Sequence, residues 1–294
     1  MLEKIVEKVE NKRRDRLLEG RFLMSKKERP IGFIDSGVGG LTVLKEALKQ
    51  LPNENVIYLG DNARCPYGPR PKEQVLEFTW QMTQFLLSKQ IKMLVIACNT
   101  ATAVALDEIK HKLDIPVVGV ILPGARAAVK ATRTNKVGII GTQGTIQSAS
   151  YEKALLEKVP SIEPFSLACP RFVPIVESNQ ARSSVAKKIV AETLQPMQRA
   201  KVDTLILGCT HYPLLKPLIQ NVMGQSVHLI DSGVETIGEV SMLLDYFNIA
   251  HLPENKHPQR EFYTTGSTVA FNQIARAWLE TSDISAKHIH LTGE

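Results

Sequence analysis

The sequence is short of the residues that mark several large protein classes. Among 294 residues there are four cysteines, two tryptophans and only 6% aromatics. Four thiols in a chain of this size, without a secretory leader, do not make a disulfide framework. They are then either core residues or chemical groups. No apolar run approaches the roughly 20 residues that cross a bilayer, so no membrane association is expected. The start, MLEKIVEKVENKRRDRLLEGRF, lacks the apolar centre of a secretory signal, and a cytoplasmic location is the expectation.

Basic charge is also scarce once the N-terminus is set aside. The net charge is +6, but residues 1–29 hold ten Lys and Arg against six Asp and Glu, which leaves +2 for the rest. No Lys/Arg cluster is interleaved with aromatics, so a surface that tracks nucleic-acid phosphates is not indicated. The excess belongs to a charged N-terminal extension, 1–28. It reads either as a weakly amphipathic helix through Ile5, Val9, Leu17, Leu18 and Phe22 or as a frayed arm.

What is present is ordinary globular material, 44% hydrophobic and 22% charged, and more of it than one core usually organises. From residue 31 short apolar runs end in Gly, Asp, Cys or Asn and lead into helical stretches, the pattern of a parallel α/β sheet. IGFID (31–35) enters the turn SGVGG, and NVIYLGD (55–61) enters the proline-stiffened loop NARCPYGPRP. A helix near 72–89 precedes MLVIACNT (93–100); IPVVGVI (115–121) follows, punctuated by Pro123-Gly124.

The same grammar then restarts. KVGIIGTQGTI (136–146) echoes the first strand and turn, with Ile31 and Val137 106 residues apart. DTLILGCTHYP (203–213) echoes KMLVIACNTAT, with Cys98 and Cys209 111 residues apart. Two landmarks at nearly one offset argue for internal duplication. HLIDSG (228–233) resembles FIDSG once more, after which the remaining strand and helices return to the first half. The expected architecture is therefore α/β, two pseudo-symmetric parallel-sheet domains with the active site in the cleft between them. The first is 29–121 plus 231–294 and the second 122–230, with crossings near 121–124 and 228–233.

Residues just past the carboxyl ends of parallel strands face the ligand crevice, so two such halves set Cys98 and Cys209 on opposite walls. Moving a proton from one face of a carbon to the other needs a base on one side and an acid on the other. A thiol suits both roles, its ordinary pKa of about 8.5 lying close to neutrality. For either cysteine alone a buried core thiol is the commoner reading; their matched positions argue against it. His211, two residues after Cys209, is placed to assist that thiol. Cys-x-His also invites a metal, but no second short-spaced pair completes a zinc quartet. Asp35 ends the first strand, where a turn or cap role is the plainer alternative. The run Gly37-x-Gly39-Gly40 lacks the full dinucleotide spacing and suits close approach of a small carboxylate. Glu177, in CPRFVPIVES, reads from sequence alone as a solvated helix residue.

IDSGVGGLTV, DNARCPYG, ACNTAT, GCTHYP and the later IDSG together resemble the bacterial glutamate racemases, over about residues 30–290. The resemblance implies interconversion of L- and D-glutamate without pyridoxal phosphate, metal or any other cofactor, supplying peptidoglycan synthesis. It implies Cys98 and Cys209 as the two bases, Asp35 and His211 as their helpers, and Glu177 as a further catalytic candidate. Asp35, Ser36, Tyr67, Gly68, Asn99, Thr100, Thr210 and His211 would meet the substrate. A homodimer is the assembly left open. Aspartate racemases and related decarboxylases share the paired cysteines, and a non-catalytic binding protein of the same duplicated fold is the alternative from another class. Pure binding does not need thiols at both strand ends.

Overall fold

The computed structural model describes residues 25–252 and 257–291. The extension, read as a helix through Ile5 to Phe22 or as a frayed arm, lies outside these residues up to position 24.

Two parallel sheets organise the chain. The first contains β1 (Ile31–Asp35), β2 (Val56–Gly60), β3 (Met93–Ile96), β4 (Val117–Gly119), β9 (Arg260–Thr264) and β10 (Ala286–His288), in the order β10-β9-β2-β1-β3-β4. The second contains β5 (Lys136–Gly141), β6 (Glu163–Ala168), β7 (Thr204–Gly208) and β8 (His228–Asp231), in the order β6-β5-β7-β8. The order β2-β1-β3-β4 is thus repeated as β6-β5-β7-β8. The register repeats too: Ile31 lies opposite Met93, and Val137 lies opposite Thr204. One half adds two strands, where the sequence suggested one.

Helices cover both faces of each sheet, which is why the central strands are apolar throughout rather than alternating. In the first half, α1 (Leu41–Gln50) packs on one face, with α2 (Lys72–Ser88) and α3 (Asn99–Lys112) on the other. Ile31, Phe33, Ile34, Val95 and Ile96 are all inaccessible to solvent, each such side chain contributing roughly 1.5–3 kcal/mol.

Two helices carry the chain between sheets, α4 (Ile121–Ala131) outward and α10 (Ser232–Tyr246) back, and they pack on each other. Arg126 on α4 pairs with Glu239 on α10. Pro123-Gly124, read from sequence as a break, instead lies in the first turn of α4. A proline costs little there, because its missing N–H would have no helical acceptor. The later IDSG has a structural counterpart to the first: Asp231 Oδ1 accepts from Gly233 N, as Asp35 Oδ1 accepts from Gly37 N, both at 3.0 Å.

Candidate active site

Each paired cysteine follows the carboxyl end of an equivalent strand. Cys98 lies just beyond β3 and holds the N-cap position of α3, its sulfur accepting from Ala101 N at 3.5 Å. A small acceptor side chain is what that position favours, and a thiolate is a better acceptor than a thiol. Cys209 follows β7 at the start of a tight turn in which Tyr212 N donates to Cys209 O at 3.1 Å. Tyr212–Leu215 continues as one turn of 3₁₀ helix. Both cysteines are 6% exposed and line one cavity.

The groups around the two sulfurs differ. Cys98 Sγ lies 3.6 Å from Ser36 Oγ in the turn after β1. Cys209 Sγ lies 3.8 Å from His211 Nδ1, and His211 Nε2 lies 3.0 Å from Glu177 Oε1 at the end of α7 (Phe172–Glu177). Trp278 on α11 (Thr268–Leu279) meets the His211 ring edge-on, with centroids 6.0 Å apart. Asp35 is fully buried and accepts from Gly37 N, with Thr210 Oγ1 donating to its Oδ2 at 3.5 Å.

Burial dominates the electrostatics. It raises the Cys98 pKa to about 11, reinforced by the charge of Asp35 and opposed by hydrogen bonds from Ala101 and Ser36. It pushes the Cys209 thiol up as well, against a backbone hydrogen bond from His211. Asp35 is raised by burial too, while His211 and the amides of Gly40 and Gly37 pull it down. Both thiols are therefore neutral at neutral pH.

The cavity has a volume of about 30 Å3, and its lining includes Ser36, Tyr67, Gly68, Asn99, Thr100, Thr210 and His211 as well as the two thiols. Of the residues singled out from sequence, Asp35 and Glu177 stand behind this lining, Asp35 beneath Thr210 and Glu177 behind His211. The Tyr67 hydroxyl is engaged by Asp61. Asn99 is 3% exposed; its Oδ1 accepts from Tyr151 OH at 2.7 Å, and its Nδ2 has no partner. A buried amide N–H without an acceptor costs roughly 1–3 kcal/mol, so the position favours a ligand that brings one. A roomier pocket of about 350 Å3 lies at the amino ends of β3 and β4, but no thiol or hydroxyl lines it. Among the described residues no group of three or more His, Cys, Asp and Glu is gathered as metal ligands.

The family model for Asp/Glu/Hydantoin racemase matches residues 31–240. The chain is 72% identical over 266 residues to the glutamate racemase of Enterococcus faecalis, covering 90% of this chain and 97% of the relative. This chain belongs to the glutamate racemases of that family. Its structure resembles glutamate racemase isoform RacE1 from Bacillus anthracis, with a TM-score of 0.87 and 46% identity over 90% of this chain and 98% of the other. It also resembles the glutamate racemase of Francisella tularensis solved in complex with D-glutamate, with a TM-score of 0.84 and 34% identity over 90% and 98%.

Several residues of the cleft were not anticipated. Thr142 and Thr145 join Thr100 in a closed set of hydroxyls at 2.9–3.2 Å, and Thr142 lines the cavity. Cys65 and Val173 line it as well. The position of Thr142, one residue past β5 as Ser36 is one past β1, was readable from the duplication. Trp278 and Tyr151 carried no such mark.

Proposed function

We propose that this chain interconverts L- and D-glutamate by two opposed thiols, without a cofactor, and so supplies D-glutamate for peptidoglycan. The observation that carries the reading is the pair Cys98 and Cys209, at equivalent strand ends of two like halves, lining one cavity. One sulfur, as thiolate, takes the proton from Cα as the C–H bond breaks; the other, as thiol, delivers its proton to the opposite face. Cys98 serves one enantiomer and Cys209 the other. A turnover leaves the protonation of the two sulfurs exchanged, so the next needs their protons restored. Ser36 and Asp35 beside Cys98, and His211 with Glu177 beside Cys209, are the groups through which that exchange runs. Each positioned acid or base is worth about 10²–10⁴-fold in rate.

In this reading substrate carboxylates and amine meet Ser36, Tyr67, Gly68, Asn99, Thr100, Thr210 and His211, with Asp35, also expected to meet them, acting from behind through Thr210. Asn99 has the strongest physical support, because it lines the cavity and its Nδ2 is a buried donor without a partner. We take 29–121 with 231–294, and 122–230, as the two working halves of a cytoplasmic enzyme. Its partner is a small acid rather than nucleic acid, with a homodimer as the proposed assembly. Among the described residues no helix is long and apolar enough to cross a membrane.

The test is solvent exchange. Metal-free, pyridoxal-free protein, given either glutamate enantiomer in deuterium oxide, should yield the opposite enantiomer with deuterium at Cα. Activity lost on chelation and restored by zinc would overturn the cofactor-free mechanism.

A further inference from the structure

Tyr151 lies outside every motif that pointed to the site, yet it touches the neighbourhood of both cysteines. It sits in α6 (Ser150–Lys158) of the second half and is 2% exposed. Its hydroxyl crosses to the first half and donates to Oδ1 of Asn99, the residue after Cys98. Its ring lies against Gly208, the residue before Cys209, where a Cβ would come within 3.1 Å of it. On another side it lies against Gly124 of α4, where a Cβ would come within 3.4 Å. Two glycines thus make room for one ring, which has no freedom to swing away.

An asparagine amide can turn over at little intrinsic cost, exchanging its oxygen and nitrogen. In a carboxylate site the two orientations are opposites, one offering N–H donors and the other a lone pair facing a negative charge. Burial pushes the Tyr151 phenol well above the ordinary tyrosine range, so it stays protonated and remains a donor at any working pH. The phenol has lone pairs as well as a proton, but here its proton goes to Asn99 Oδ1, and that donation holds the amide with its oxygen toward the ring. That leaves Nδ2 as an unpartnered buried donor on a residue that lines the cavity.

We propose that Tyr151 is a positioning residue for substrate recognition: it locks the Asn99 amide from across the domain seam so that Nδ2 is held ready for a substrate carboxylate. The proposal rests on the glutamate reading above. It also makes recognition depend on how the halves sit together, because donor and amide belong to different halves.

The experiment is a double-mutant cycle read as KM and kcat. Tyr151→Phe keeps the ring between its glycines and removes only the hydroxyl. It should raise KM for both glutamate enantiomers about tenfold while changing kcat by less than about threefold, with thermal unfolding still cooperative. Asn99→Ala should raise KM at least as much, and adding Tyr151→Phe to it should change nothing further. Multiplying effects in the double variant, or a Tyr151→Phe KM within about twofold of the parent, would overturn the proposal. Should Tyr151→Phe fail to fold, Asn99→Asp decides. It keeps the acceptor for the phenol and replaces the free N–H donors with oxygen, so an unchanged KM there also overturns it. A parent protein that does not racemise glutamate at all would instead count against the glutamate reading, and that is measured first.

Discussion

At the scale of single residues, the proposed chemistry turns on two thiols that burial keeps neutral. With a pKa of about 11, Cys98 is almost wholly protonated at neutral pH, so its thiolate is a minor form. Ultraviolet thiolate absorbance, taken as the difference between Cys209→Ser and the double variant Cys98→Ser/Cys209→Ser, should therefore rise only as pH approaches about 11. A plateau below pH of about 9, the range of an ordinary thiol, would contradict the burial argument. The different partners of the two sulfurs bear on stereochemistry. Serine in place of either cysteine keeps the shape but is far too weak an acid to serve, and net racemisation should fall by several orders of magnitude. The surviving thiol still faces one enantiomer. Each single variant should eliminate HCl from a chlorinated glutamate analogue of one configuration only, and the two variants should prefer opposite configurations. Shared preference would mean a single base.

At the scale of elements, the turns after the strands set the precision of the site. The turn between β1 and α1 approaches the Cys209 wall so closely that a Cβ on Gly39 would lie 2.6 Å from His211 Cε1. Thr42, at the start of α1, donates to Thr210 O at 2.9 Å and ties the same two segments together. Gly39→Ala should push Thr210 and His211 away from the turn and lower kcat about 100-fold, the scale of a displacement of about 1 Å, with far-ultraviolet circular dichroism unchanged. Parental kcat in that variant would show that the wall yields. Strands, the helix over 72–88 and both cysteine turns were legible in the sequence, because buried parallel strands leave continuous apolar runs and the duplication writes each signal twice. Pro123-Gly124 misled because a proline in a first helical turn reads like one in a loop. Glu177 was read as a solvated helix residue, and it is exposed at the end of α7; its contact with His211, 34 residues away, is reached only through the fold and left no mark in the sequence. Tyr151 and Trp278 left no local signal at all, since their contacts cross the seam.

At the scale of the whole molecule, the two halves meet through bonds that also shape the site. Thr100 reaches Thr142, Gly144 N donates to Gly68 O at 2.9 Å, and Tyr151 reaches Asn99. Trp278 packs against the cores of both halves. These contacts border the cavity that both thiols line. The unequal equipment of the two walls, a serine beside Cys98 and a histidine–glutamate pair beside Cys209, has one consequence fixed by detailed balance. Mirror-image solutes have identical free energies in water, so kcat/KM must be the same in both directions for the parent and for every variant, at every pH. However lopsided its two walls become, this cleft can alter how long each enantiomer waits but never which one prevails.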